Sequence, residues 1–339
     1  MAEQKDSRIE MIRGLCILAV VFIHCPSGLA YQQIPGEEWK FWEWVTIRQL
    51  SNFAVGTFFF LSGYLTTSNA VKSAKQYIIK RCKRLLIPMY CWSLLYMGIQ
   101  IIKDYPGVDS FALYGLKYLF GMSAGPFYFI IVMTQLVFLA PLIFRMAGSY
   151  LGQGILWLIT PVWLGLQYII TLTSGSQIPH CEYFFMSWLI YYWAGIFLRR
   201  QAVVKLNSVN LSGIGVLCCT SLNLIEGYVL YALTGTGTFG TSQIRGGVVL
   251  YALSVSVFLM ANGSKIASQI LVKLGNLSYG VYYVHLLWLS VITHLLPSEI
   301  PFPVIQIVCW STAVVGSYLT CRIIQRLVGK QRAHNILGI

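Results

Sequence analysis

The chain has 339 residues, 57% of them hydrophobic and only 10% charged, with a mean hydropathy of +0.67. Soluble domains carry about 25% charge, so a water-soluble globular enzyme is excluded. The net charge of +13 would suit nucleic acid, but the basic residues alternate between hydrophobic connections. That distribution signals membrane topology, and no nucleic-acid partner is expected.

Ten apolar runs follow one another, at about 12–30, 46–67, 85–103, 125–146, 151–172, 183–198, 210–233, 244–262, 274–295 and 302–323. Each is near the roughly 17–25 residues of a spanning helix, with 183–198 at the short end. The first is a full span without a secretory cleavage pattern, so it is read as retained. With the N-terminus inside, 19 of the Lys and Arg residues fall on inner segments. Five fall on outer ones: Lys40, Arg48, Lys103, Lys117 and Arg245. The positive-inside rule then sets both termini in the cytoplasm. The expectation is an all-α integral membrane protein of about ten transmembrane helices. It forms a single membrane-embedded domain over 1–339, without internal repeat or soluble appended domain. The stretch Phe111–Gly121 is too short to span and is expected at the outer surface. The nine cysteines are scattered, with no Cys-x-x-Cys pair and no metal-ligand spacing. Neither a disulfide framework nor a metal site is expected.

In the first span, Arg13 and His24 are eleven residues apart. At about 100° and 1.5 Å per residue they share a helix face, roughly 16 Å apart along the axis. A basic anchor at the membrane edge and an imidazole deeper inside suit one long ligand, held at its charged end and reacting at the other. Before the third span, residues 71–85 read as an amphipathic helix with Val71, Ala74, Ile78, Cys82 and Leu85 on one stripe. Arg81 and Arg84 share a face and lie at the cytoplasmic level of Arg13. Three guanidiniums at one level suit a polyphosphate; from the residues alone, anionic lipid and the orientation signal are the favoured account.

His285, on the ninth span, follows Lys273 by twelve residues, so its imidazole reaches a depth similar to that of His24. Glu226 interrupts the seventh span beside Asn223, where a carboxylate must be protonated, paired or facing water. For each of these groups an interhelical hydrogen bond or ion pair is the structural alternative to a catalytic part. Cys25 diverges from His24 by about 100° and is read as a packing residue. Trp39, Trp42, Trp44 and Tyr105 fit an interfacial aromatic belt, or stacking on a sugar.

Taken in order, these segments resemble the membrane-bound acyltransferase 3 family. The resemblance rests on Arg13-x10-His24, on Thr57-Phe58-Phe59-Phe60-Leu61-Ser62-Gly63-Tyr64, and on Arg81-x-x-Arg84-Leu85 followed by Pro88. It continues with Gly125-Pro126-Phe127-Tyr128-Phe129, Pro141-Leu142, and Leu277-Ser278-Tyr279-Gly280-Val281-Tyr282-Tyr283-Val284-His285. The family often carries Trp where this chain has Tyr128. The resemblance runs from about residue 7 to 323.

The resemblance implies an O-acyltransferase that moves an acyl group, usually acetyl from acetyl-CoA, onto a hydroxyl. The acceptor is commonly a sugar of a surface polysaccharide or a lipid-linked glycan. Arg13, Arg81 and Arg84 would bind the donor phosphates and His24 would be catalytic, with Glu226 or His285 orienting it or shuttling the proton. Neutral His24 would act as general base; an acyl-histidine intermediate is the less favoured route. The expected partners are the bilayer, acyl-CoA as co-substrate and the glycan acceptor, at a bacterial cytoplasmic cell membrane. A homo-oligomer is compatible with the sequence. The alternative is a transporter of a small polar solute or amino acid that uses the buried His and Glu.

Overall fold

The computed structural model describes residues 6–104, 111–205, 213–235, 237–266, 268–297 and 300–339. Lys5 and Tyr105, which carried sequence expectations, lie outside them, as do the side chains of Val71, Lys205 and Lys265. The main helices are α1 (Ser7–Ile23), α2 (Glu38–Ser51), α3 (Phe53–Tyr64), α4 (Ala74–Asp104), α5 (Phe111–Leu119), α6 (Tyr128–Met146) and α7 (Tyr150–Ser174). They continue as α8 (Leu189–Lys205), α9 (Gly213–Thr234), α10 (Gly246–Ile266), α11 (Gln269–Asn276), α12 (Ser278–Leu295) and α13 (Phe302–Val328). No strand occurs among the described residues. Among the described residues six stretches are long and apolar enough to cross a membrane: Ala74–Lys103, Gly125–Met146, Tyr150–Ser174, Gly213–Thr234, Gly246–Gly263 and Phe302–Val328.

Several expected spans are shorter or divided. The first helix stops at Ile23, and His24 is its C-cap residue. Pro26 disfavours helical geometry at the residue before it, which ends the run. The expected 46–67 span is split at Asn52 into α2 and α3. At the break the Asn52 amide donates to the Thr241 carbonyl at 3.4 Å, tying this point to the segment before α10 without capping either helix. The 274–295 span is split at Leu277, whose N–H bonds back to Leu274 and Gly275. In the other direction, most of the amphipathic collar and the third span form one 31-residue helix, α4, with Pro88 inside it.

The chain divides into two compact units. One comprises 1–65, 161–179 and 191–321; the other comprises 66–160, 180–190 and 322–339. In the first, α1 packs against α2, α3, α10, α11 and α12. Glycines allow the closest approaches. A Cβ on Gly14 would collide with the Leu271 carbonyl oxygen, and one on Gly275 with that of Glu10. The α3–α8 contact is built the same way, with Gly63 against the Tyr192 carbonyl and Gly195 against that of Phe60. Small residues at crossing points are how helices associate where lipid supplies no hydrophobic driving force. This is a packing reason for the glycine of the Leu61-Ser62-Gly63-Tyr64 run.

In the second unit, α4 packs against α5 and α6. The Trp92 indole donates to the Leu337 carbonyl at 3.0 Å, and Ala333 and Ile339 are buried. The residues after α13 are therefore packed into this unit.

Candidate functional site

The first unit brings His24 and His285 together, with ring centroids 5.3 Å apart. Their environments differ. His285 is fully buried. Its Nδ1 lies 2.7 Å from the Tyr282 carbonyl and 3.2 Å from that of Val281. A carbonyl can only accept, so Nδ1 carries the proton and Nε2 carries the lone pair. That Nε2 has no hydrogen-bond partner among the described residues. His24 is half-buried, and its ring makes no hydrogen bond among the described residues. The pair therefore offers one fully buried imidazole of fixed tautomer and one half-buried imidazole beside it.

Helix ends set this geometry. As the C-cap of α1, His24 sits at the tip of a helix whose last carbonyls need donors. Arg48 of α2 supplies one, from Nη1 to the Ile23 carbonyl at 2.8 Å. Its guanidinium carbon lies 5.4 Å over the Trp44 ring, and its charge is within electrostatic reach of His24. A cation at a helix C-terminus is favourable. The neighbouring Cys25 thiol bonds the Val21 carbonyl at 3.5 Å and is buried, which fits its reading as a packing residue.

Arg13 lies toward the other end of α1. Its Nη1 is 3.0 Å from Glu10 Oε1, and its side chain keeps 31% exposure. Glu10 is buried, and its Oε2 has no partner among the described residues. Arg81 and Arg84 belong to the second unit, near the start of α4. Arg81 lies 5.7 Å over the Tyr77 ring and Arg84 is exposed.

Glu226 contacts neither imidazole. Its carboxylate accepts from the Tyr168 hydroxyl, from Arg245 Nη1 at 3.0 Å and from the Gly247 N–H at 2.9 Å. Arg245 is fully buried and donates five hydrogen bonds. The acceptors are the Ser242 and Asn223 carbonyls, Glu226, Gln49 Oε1 and Asn223 Oδ1. A guanidinium has five N–H donors, so its inventory is full. Gln49 adjoins Arg48, so α2 touches both the Arg245 cluster and the end of α1.

Sequence reasoning missed Glu10, Arg48, Arg245 and Tyr168. Arg48 and Arg245 stand among the five outer cations, yet both side chains turn into the protein. Each lies within or beside an apolar run, and that position was the available signal. Glu10 was legible as a carboxylate one turn before Arg13. Of the aromatics, Trp44 is buried and Trp42 packs edge-on to Tyr231 at 5.0 Å, so both are core residues; Trp39 is exposed. Among the described residues no group of three or more His, Cys, Asp or Glu could hold a metal ion.

An all-helical chain with several bilayer-length apolar helices and a polar interior defines a polytopic membrane protein. An acyltransferase-domain family model matches residues 6–322, and the chain belongs to that acyltransferase family. It is also 28% identical over 303 residues to "Putative acetyltransferase ORF330" of Acidianus two-tailed virus, covering 85% of this chain and 84% of that protein. No solved structure gives a significant match.

Proposed function

We propose that this acyltransferase takes an acyl group, most simply acetyl, from acyl-CoA at the cytoplasmic face. It delivers the group to a hydroxyl of a sugar in a surface polysaccharide or lipid-linked glycan. The observation that carries this reading is the His24–His285 pair. A half-buried imidazole lies beside a fully buried one whose Nε2 lone pair can accept a hydrogen bond from it. His24 is the general base and His285 the group that orients it.

The acceptor hydroxyl gives its proton to His24 as its oxygen attacks the thioester carbonyl carbon. The tetrahedral intermediate collapses, the carbon–sulfur bond breaks, and coenzyme A leaves as the thiolate. The imidazolium then returns the proton to that sulfur. Free coenzyme A and an O-acyl ester are the products. The partly exposed Arg13 side chain holds a donor phosphate, whose oxygens suit a guanidinium fork; Arg81 and Arg84, in the second unit, are phosphate-binding candidates in their own right. Glu226 supports the site through Arg245 and α2.

The ten-span topology with both termini in the cytoplasm belongs to this proposal, supported by the bias of basic residues. In a cysteine-depleted background, an impermeant thiol reagent should spare Ser73→Cys and label Ser176→Cys in intact cells. Reversed labelling would put the arginines away from the coenzyme A pool. The chemistry is tested by release of free thiol from acetyl-CoA by the purified protein together with a cell-envelope glycan fraction. Absence of release would refute it.

A further inference from the structure

Helix α7 inverts the usual distribution of polarity at one end. Its residues Val162, Leu166, Ile169 and Leu172 are exposed apolar side chains, with Ile169 at 63%. The buried positions between them are Leu164, Gln167 and Thr171, the last two at 1% exposure. Gln167 and Thr171 are four apart and so lie on one side of the helix. Gln167 Nε2, Gln167 Oε1 and Thr171 Oγ1 are all buried without a partner among the described residues. Buried polar atoms are normally paired, and exceptions concentrate where a site is built for something else.

The next side chain along α7 ties this face to the Glu226 cluster. Tyr168 donates to Glu226 and accepts from the Gly246 N–H at 3.0 Å. Its ring meets Phe239 edge-on, with centroids 5.5 Å apart. The helix is thus anchored one residue from Gln167.

We propose that Gln167 and Thr171 form a hydroxyl-binding subsite for the acceptor, which takes a sugar or another polyol. A primary amide and a hydroxyl one turn apart each offer both a donor and an acceptor. Neighbouring hydroxyls of a pyranose have the same dual character and match them in pairs. A carboxylate or phosphate would leave the acceptors unmatched, an ammonium would leave the donors unmatched, and an acyl chain would leave all three atoms unpaired. The proposal rests on the acyl-transfer reading and deepens it. On the ten-span topology these residues lie toward the outer end of their helix, as His24 does.

The test uses purified full-length protein and the variants Gln167→Leu and Thr171→Val. The probe acceptor is methyl α-D-glucopyranoside, and 1-hexanol is the single-hydroxyl control. Each variant should raise KM for the glycoside about five- to tenfold, the loss expected from one hydrogen bond at a buried site. Acetyl-CoA binding and the melting temperature should be unchanged, or the latter raised, because an unpaired buried polar group has been removed. A purely structural role predicts a lower melting temperature and unchanged KM, which would overturn the proposal. So would glycoside and hexanol used equally well by the wild type, or bound acetyl-CoA with neither probe acetylated. If the wild type neither binds nor consumes acetyl-CoA, the acyl-transfer reading itself has failed.

Discussion

Two polar groups in the first unit are built on opposite principles. Arg245 is fully buried with all five of its donors satisfied, and its partner Glu226 accepts from three directions. In the imidazole pair, His285 Nε2 has no partner and the His24 ring makes no hydrogen bond among the described residues. A saturated network in a low-dielectric interior fixes helices. An unsaturated one leaves a lone pair for chemistry. On the proposed function, Glu226 and Arg245 fall to support and the histidines to the reaction.

The largest expected effect falls on the unsaturated side. His24→Ala should fold and bind acyl-CoA normally while transfer falls about 10²–10⁴-fold, the usual contribution of a positioned base. Paired melting and turnover measurements on one preparation check this. Loss of stability in proportion to activity would erase the contrast.

On the saturated side, Glu226→Ala leaves the Arg245 guanidinium buried without its carboxylate. Breaking such a pair costs on the order of 3–5 kcal/mol, read as a large drop in melting temperature, with turnover per folded molecule changed little. A stable but inactive Glu226→Ala would move Glu226 into the reaction.

How far these roles could be read in advance depends on what hydropathy and residue spacing can express. Matched depth within two apolar runs was enough to pair His24 with His285. Position at a membrane edge singled out Arg13, Arg81 and Arg84. The inward turns of Arg48 and Arg245 were missed because a positive-inside count treats each cation as a loop charge, although their place inside apolar runs signalled them. The breaks at Asn52 and Leu277 were hidden for another reason. One turn residue barely alters the hydropathy of a long window, although it redirects the chain. Gln167 and Thr171 are uncharged and sit among apolar residues, so only their burial without partners marks them.

Smaller effects sharpen the contrast. Arg81→Ala and Arg84→Ala should each weaken acyl-CoA binding roughly ten- to hundredfold, since a hydrogen bond to a charged group contributes about 1.5–3 kcal/mol. Titration of acetyl-CoA by calorimetry measures this, and wild-type affinity in both would return them to an orientation signal. His285→Gln should lower transfer roughly tenfold or less, because a positioning hydrogen bond is worth about 1 kcal/mol. A loss as deep as that of His24→Ala would make His285 the base.

The central claim, that His24 removes a proton while acyl-CoA is consumed, is met most directly by free thiol released from acetyl-CoA by His24→Gln. Glutamine keeps hydrogen-bonding groups but cannot take the proton. The account predicts that folded His24→Gln, saturated with acetyl-CoA, releases thiol at least a hundredfold more slowly than wild type. Release near the wild-type rate would contradict it.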